Sequence, residues 1–463
     1  MTAAPQTSLQ TSSQTAPQAA TEPFVQQFAA HHGSLPGAAL PWLGRRRELG
    51  LERFRAKGFP TPRVEEWKYT NLRALERIAF AAPRDGDRAF GVLAADALPT
   101  VMPGLETPRL VFVDGRFNKL LSRVDALPAG VRLDSLAGVL ATSPDLVEPY
   151  LGRLEPDAGE PLVGLNAALA EDGLVLMVED GVALEMPVEV VYIGTAAERA
   201  VAYHPRNLVV VGKGALVTLV EHHLGLAVGP NPGTYFANHV TEVTVGPQAT
   251  LHHYKVQREG VGAFHVARTL VQLAQDAHYD NFALSSGARL ARNEIHARLD
   301  GTGIMCRLNG AYMIGGQQHC DTTTFIDHAH PSCGSREVYK GVIDGHGRAV
   351  FQGKILVRRD AQKTDGYQLN NALLLSDTAE IDAKPELEIY ADDVKCSHGA
   401  TAGELDEDQL FYLRARGVPK DEARGLLIGA FLAEAVTEVQ HEGVRESFGR
   451  LVEDWLSAHK EAA

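Results

Sequence analysis

A thiol and an imidazole stand two residues apart at Cys396 and His398, inside the run AKPELEIYADDVKCSHGATAGELDEDQLFYLRARG from Ala383 to Gly417. On an extended backbone, side chains at i and i+2 leave the same face, so both groups can address one metal centre. Soft sulfur and borderline imidazole suit iron–sulfur chemistry. Two ligands do not close a four-coordinate site, so a partner chain would have to supply the others. Lys395 and a nearby helix start favour the thiolate, whereas Asp392 and Asp393 oppose it.

Other groups of metal-ligating type are read as structural. Cys320, His328, His330 and Cys333 lie in a short window, but their spacing matches no usual paired-ligand signature. The strand-forming run Thr322-Thr323-Thr324-Phe325-Ile326 would hold Cys320 away from the histidines. The doublets His222-His223 and His252-His253 fall in strands, so one ring of each should face in and one out. A polar tunnel lined by such histidines is conceivable. Glu380, Asp382, Glu386 and Glu388 follow a strand pattern that suits a solvated outer face and also admits a carbohydrate-cleaving cleft.

The motifs that are missing narrow the function. Gly212-Lys213-Gly214 lacks the spacing of a phosphate loop, and no dinucleotide fingerprint, nucleophile elbow or H-E-x-x-H helix occurs. A nucleotide-driven step would fall to another subunit. A formal charge of -14 argues against nucleic acid and anionic membranes as partners. No apolar run is long enough to span a bilayer, and Gln, Ser and Thr stand where a signal peptide needs apolar residues, so a cytoplasmic location is expected. Four scattered cysteines read as reduced thiols. A secreted polysaccharide-active enzyme fits poorly with this picture and with 7% aromatic content.

The elements that must position these groups fall into regions. A chain of 463 residues suggests two or three of them. Residues 1–21, rich in Gln, Ser, Thr, Ala and Pro, are expected to form a disordered arm. Residues 22–160 are helical and mixed, with Leu43, Leu49, Leu51 and Phe54 at helix spacing and a stop at Gly58 and Pro60. Residues 161–395 replace helical periodicity with short alternating runs, such as Glu294 to Leu299 and Phe351 to Val357. Gly287, Gly301 and Gly315 recur at equal intervals, like turns of a solenoid, although a sandwich would also give short alternating strands. Residues 396–463 form helices, with Asp406 as an N-cap, Gly417 as a stop and Pro419 opening the next helix. That helix carries Leu427, Ile428, Phe431, Leu432 and Ala435, wider than one buried stripe needs, which marks them as a docking surface for a partner. A solenoid leaves unpaired strands at both ends, and the flanking helices are expected to cap them.

Several stretches resemble the SufD family of iron–sulfur cluster assembly proteins: VEEWKYTNL (64–72), HHYKVQ (252–257), DTTTFIDHAHP (321–331), GRAVFQGKI (347–355), AQKTDGYQLNNALLL (361–375) and YADDVKCSHGAT (390–401). Together they span most of the chain, and the Cys-Ser-His triplet separates it from the paralogous SufB. The resemblance implies a mainly β fold, a right-handed parallel β-helix with helical regions at both termini. It also implies a non-catalytic scaffold that pairs with SufB and with the ATPase SufC, which docks on the C-terminal helices. Cys396 and His398 would face SufB and take part in a transient Fe–S cluster shared with it. Binding of reduced flavin by the complex, and homodimerisation of the isolated chain, stay open. A zinc-dependent binding module built on Cys320 to Cys333 is the remaining alternative.

Overall fold

The structure, a computed structural model, describes residues 16–83, 98–101, 103, 106–124, 127–155, 160–195, 199–226 and 233–462. The chain opens with helices α1 (Ala16–His31), α2 (Pro41–Lys57) and α3 (Arg73–Glu76). Strands β1 (Arg109–Val113), β2 (Arg116–Phe117) and β3 (Val131–Ser135) lead through α4 (Leu136–Thr142) and α5 (Pro161–Leu169) to β4 (Leu174–Val178). There follow β5 (Val188–Thr195), β6 (Val201–Tyr203), β7 (Arg206–Val211), β8 (Leu216–Leu226), β9 (Tyr235–Val245), β10 (Thr250–Arg258), β11 (Phe264–Leu273) and β12 (His278–Ser285). The series continues with β13 (Leu290–Leu299), β14 (Met305–Ile314), β15 (His319–His328), β16 (Gly334–Ile343), β17 (Arg348–Val357), β18 (Asp365–Leu374), β19 (Glu380–Ile389) and β20 (Lys395–Gly403). Helices α6 (Glu407–Ala415), α7 (Lys420–Val436) and α8 (Glu442–Ala462) end it.

From β8 onward the chain alternates between two sheets. One runs β2-β1-β5-β8-β10-β12-β14-β16-β18-β20 and the other β19-β17-β15-β13-β11-β9-β7-β4-β3. Strands within each stack are parallel and in register, so two successive strands make one coil of a β-solenoid, the mainly β fold expected. Gly287, Gly301 and Gly315 each sit in the turn between consecutive strands, so their equal spacing marks half coils. The helical-and-mixed N-terminal region and the solenoid interlock, because β1 joins β5. At the other boundary β20 carries the solenoid past residue 395 to Gly403. Of the expected arm, residues 1–15 lie outside the described residues. Residues 16–21 are helical, a segment with helix-forming alanines and a buried Thr21.

Alternation puts Val209, Val243, Val271, Ala297, Ile326 and Ile355 in one inward column, each over its neighbour in the coil below. Full burial of each larger side chain contributes roughly 1.5–3 kcal/mol. The outer faces are also buried, so strands such as β5 and β11 are buried on both sides. Helices α7 and α8 lay Ile428, Leu432, Phe448 and Val452 on Tyr254, Val256, Phe282 and Met313 of one sheet. Phe24 and Phe54 of α1 and α2 meet Phe236 and Phe264 of the other. Beside them, the Arg292 guanidinium lies 4.1 Å over the Trp67 ring, Thr70 donates to Asp321, and Glu65 pairs with Lys384 on β19. The N-terminal segment thus reaches the last coil.

The helices cover faces and leave the ends to other elements, which corrects the expectation that they cap the solenoid. Antiparallel β2 and β3 close the first end. At the second, β19 and β20 are both outermost, with none of their residues fully buried. Inside the lumen, Gly341 has no room for a side chain: a Cβ there would stand 1.8 Å from the Tyr312 ring. Gly341→Ala should therefore cost about 1–3 kcal/mol, whereas Gly403→Ala, with nothing within 4 Å, should be near neutral. Urea denaturation of both variants checks this, and equal midpoints would contradict the packing described.

Candidate functional site

The open coil carries the thiol and the imidazole. In the β18–β20 ladder Gly366 is opposite Cys396 and Gln368 opposite His398. Cys396 lies on the lumen side, packed with Ile355, Leu387 and Val394, and His398, two residues on, shares that side. Gly366 leaves room beneath the sulfur, since a Cβ there would be 3.3 Å from Sγ. Cys396 is partly buried and His398 exposed, and among the described residues no further coil covers either. Burial pushes the Cys396 thiol up, Asp365 adds to this, and the Gly366 N–H pulls the other way. The opposing carboxylate is Asp365 because it opens β18 directly under Lys395 in the ladder.

The lumen column under His398 continues through Gln368 to Glu337. Gln368 Nε2 donates to the Glu337 carboxylate. Burial pushes Glu337 up to about 7, with Thr324 and Gln368 working against the rise. A carboxyl that exchanges its proton near neutrality thus lies two strands below the imidazole.

The remaining candidates do not converge on this mouth. Cys320 is buried with its thiol pushed up to about 12, Cys333 Sγ donates to the Gly301 carbonyl at 3.2 Å, and His328 Nε2 lies 2.9 Å from Ser335 Oγ. His330 faces Asp300 at 3.5 Å, so these four residues share no centre. Glu380, Glu386 and Glu388 face outward on β19 against Arg348, Lys384 and Lys354, a solvated, ion-paired face. The doublets split as alternation requires. His222 lies outside near Glu189 and His252 outside near Asp280, while His223 and His253 point inward to Glu221. Two lumen histidines, His239 and His265, escaped sequence reasoning, although each sits at an inward position of an alternating strand. Their isolation in the sequence hid them.

The α7 residues read as a docking surface need correction. Ile428, Leu432 and Ala435 are buried against the solenoid and α8, and Leu427 is partly buried. Phe431 is covered by Lys340, whose Nζ lies 4.5 Å from the ring centre and which also pairs with Glu434. The wide apolar face serves two internal partners. On the described parts of α6, α7 and α8 the exposed large apolar groups are Leu426 on α7 (53% exposed) and Phe411 (72%) and Tyr412 (56%) on α6.

Comparison with known proteins identifies the family. The model of the SUF system FeS cluster assembly SufBD core domain matches residues 192–431, and that of the SufBD protein N-terminal region matches 18–190. The chain belongs to the SufBD family. The iron–sulfur cluster assembly protein SufD of Escherichia coli is 33% identical over 398 residues, covering 86% of this chain and 89% of that one. A SufBD-family iron–sulfur cluster assembly protein of Synechocystis is 33% identical over 384 residues, 82% of this chain and 84% of the relative. SufD of Bacillus subtilis is 28% identical over 429 residues, 89% and 93% of the two chains. The SufBD core match takes in the solenoid from β8 to its open coil and runs on into α7.

Two measurements probe this end of the SufBD fold. Glu337 binds its proton more tightly folded than unfolded, so its contribution to stability falls as pH rises from about 4.5 through about 7. Glu337→Gln should flatten that decline and gain up to roughly 3 kcal/mol above it. Thermal melts of both proteins across this range check the sign, and parallel pH curves would refute it. Alkylation of native protein, read by mass spectrometry, should find Cys396 alone among the four thiols reactive. Asp365→Asn should lower its pKa and speed the reaction at fixed pH; an unchanged rate would count against the Asp365 contribution.

Proposed function

We propose that this chain is the SufD-type scaffold of an iron–sulfur cluster assembly complex, in which its open coil joins a SufB-type solenoid. The observation that carries this reading is a thiol and an imidazole on the lumen side of an uncovered final coil. The edges of β19 and β20 present unpaired N–H and C=O groups, and such edges accept strands from another chain. Small residues on β20, from Gly399 to Gly403, let a partner backbone come close. Cys396 and His398 supply two ligands of a nascent cluster, and the partner supplies the others. The iron and sulfide are cargo, built at the junction and passed on.

Nucleotide chemistry belongs to the second partner, an ATPase of the SufC type, in the cytoplasm. We place its docking on Leu426, Phe411 and Tyr412, because surplus exposed apolar area marks an interface. A pull on α6 reaches the final coil directly, since α6 begins four residues after β20. The scaffold itself needs no catalytic group for this.

Co-expression with SufB and SufC, followed by sizing and by iron and sulfide analysis, tests both contacts. Cys396→Ala with His398→Ala should leave the complex assembled and reduce acid-labile sulfide at least about ten-fold. Full cluster content in that variant would overturn the assignment. Leu426→Glu with Phe411→Glu should abolish SufC co-purification while circular dichroism stays native; retained SufC would move the docking surface elsewhere.

A further inference from the structure

Midway along the lumen, three imidazoles from facing sheets converge. His223 comes from β8, His239 from β9 and His265 from β11, and a ring nitrogen of each lies within 4.8 Å of the others. Their ring centroids are 4.7 Å (His223–His239), 4.8 Å (His223–His265) and 5.2 Å (His239–His265) apart. Nitrogens bound to one metal at ~2.0–2.1 Å with roughly tetrahedral angles place ring centres ~5 Å apart. The observed spacing is that of a three-imidazole metal site.

Hydrogen bonding points the same way. His223 Nε2 lies 2.9 Å from Glu221 Oε2, and among the described residues its Nδ1 has no hydrogen-bond partner. Neither ring nitrogen of His239 has one among the described residues either, although the residue is buried. Buried polar atoms without a partner are costly, and a bound ion would satisfy them. His265 Nδ1 lies 2.8 Å from Glu259 Oε2. Carboxylates behind imidazoles are the arrangement that fixes the tautomer and orientation of metal-ligating histidines.

Glu221 and Glu259 thus set two buried carboxylates behind the trio. Lys255 Nζ lies 2.9 Å from His265 Nε2, a hydrogen bond that ligation through that nitrogen would replace.

We propose that His223, His239 and His265 bind one divalent transition-metal ion of the zinc class, with Glu221 and Glu259 orienting two of the rings. The ion would tie β8 of one sheet to β9 and β11 of the other. Because strands and outer helices enclose the site, loading accompanies folding. The site lies within one chain, so it stands or falls independently of the contacts assigned to Cys396 and His398.

The full-length chain, expressed with supplemented zinc or refolded with cobalt(II) and desalted, tests this by elemental analysis. One metal per chain is expected, with the visible absorption of tetrahedral cobalt in the second case and a higher melting temperature than metal-free protein. His239→Ala should reduce bound metal at least about ten-fold, and Cys396→Ala with His398→Ala should retain it. If His239→Ala does not fold, His239→Gln takes its place. Less than stoichiometric metal after both loadings, or equal metal in the His239 variant, overturns the site.

Discussion

Parallel backbone pairing between coils is the constraint on which the rest of this molecule depends. Each strand from β8 onward satisfies the strand one coil earlier and leaves its own outer edge unsatisfied until the next coil arrives. The need is passed along the stack and never cancelled inside it. At the first end antiparallel β2 and β3 absorb it. At the second it surfaces on β19 and β20, where Cys396 and His398 happen to face inward. An unpaired strand edge and a thiol–imidazole pair therefore coincide.

The same pairing governs the interior. In-register stacking places like positions above one another, so a polar residue at an inward position meets polar residues of adjacent coils or pays the desolvation cost alone. Near the open end this gives the column His398, Gln368, Glu337; deeper in, it gives the histidines around Glu221. Between them Leu308 interrupts the column below Glu337, so the two polar groups are separate. Outer faces follow a different rule. Where helices lie on them they are apolar or carry paired buried charges such as Arg206–Glu242, and where they lie open they carry exposed ion pairs, as the outer row of β19 illustrates.

Much of this was legible along the chain. Period-two alternation in segments such as Glu294 to Leu299 announced strands, and the inward and outward split of His222-His223 and His252-His253 followed from it. Asp406 does cap α6, accepting from the N–H groups of Asp408 and Gln409. The breadth of the apolar face of α7 was legible too, but not its meaning. One helix wedged between a sheet and α8 needs apolar residues on two sides, and periodicity alone does not separate an internal partner from an external one.

By itself the sequence determined which side chains share a strand face, because that depends only on adjacent backbone geometry. It thereby placed Cys396 and His398 on one strand face and marked the central chain as a series of short strands. Tertiary structure decided which residues far apart in sequence meet: His239 and His265 with His223, Glu337 beneath His398, Trp67 against Arg292. It also decided that helices cover faces and that one end stays open. Those outcomes depend on how two sheets register across a lumen and on which apolar surfaces find each other, quantities that no local pattern contains.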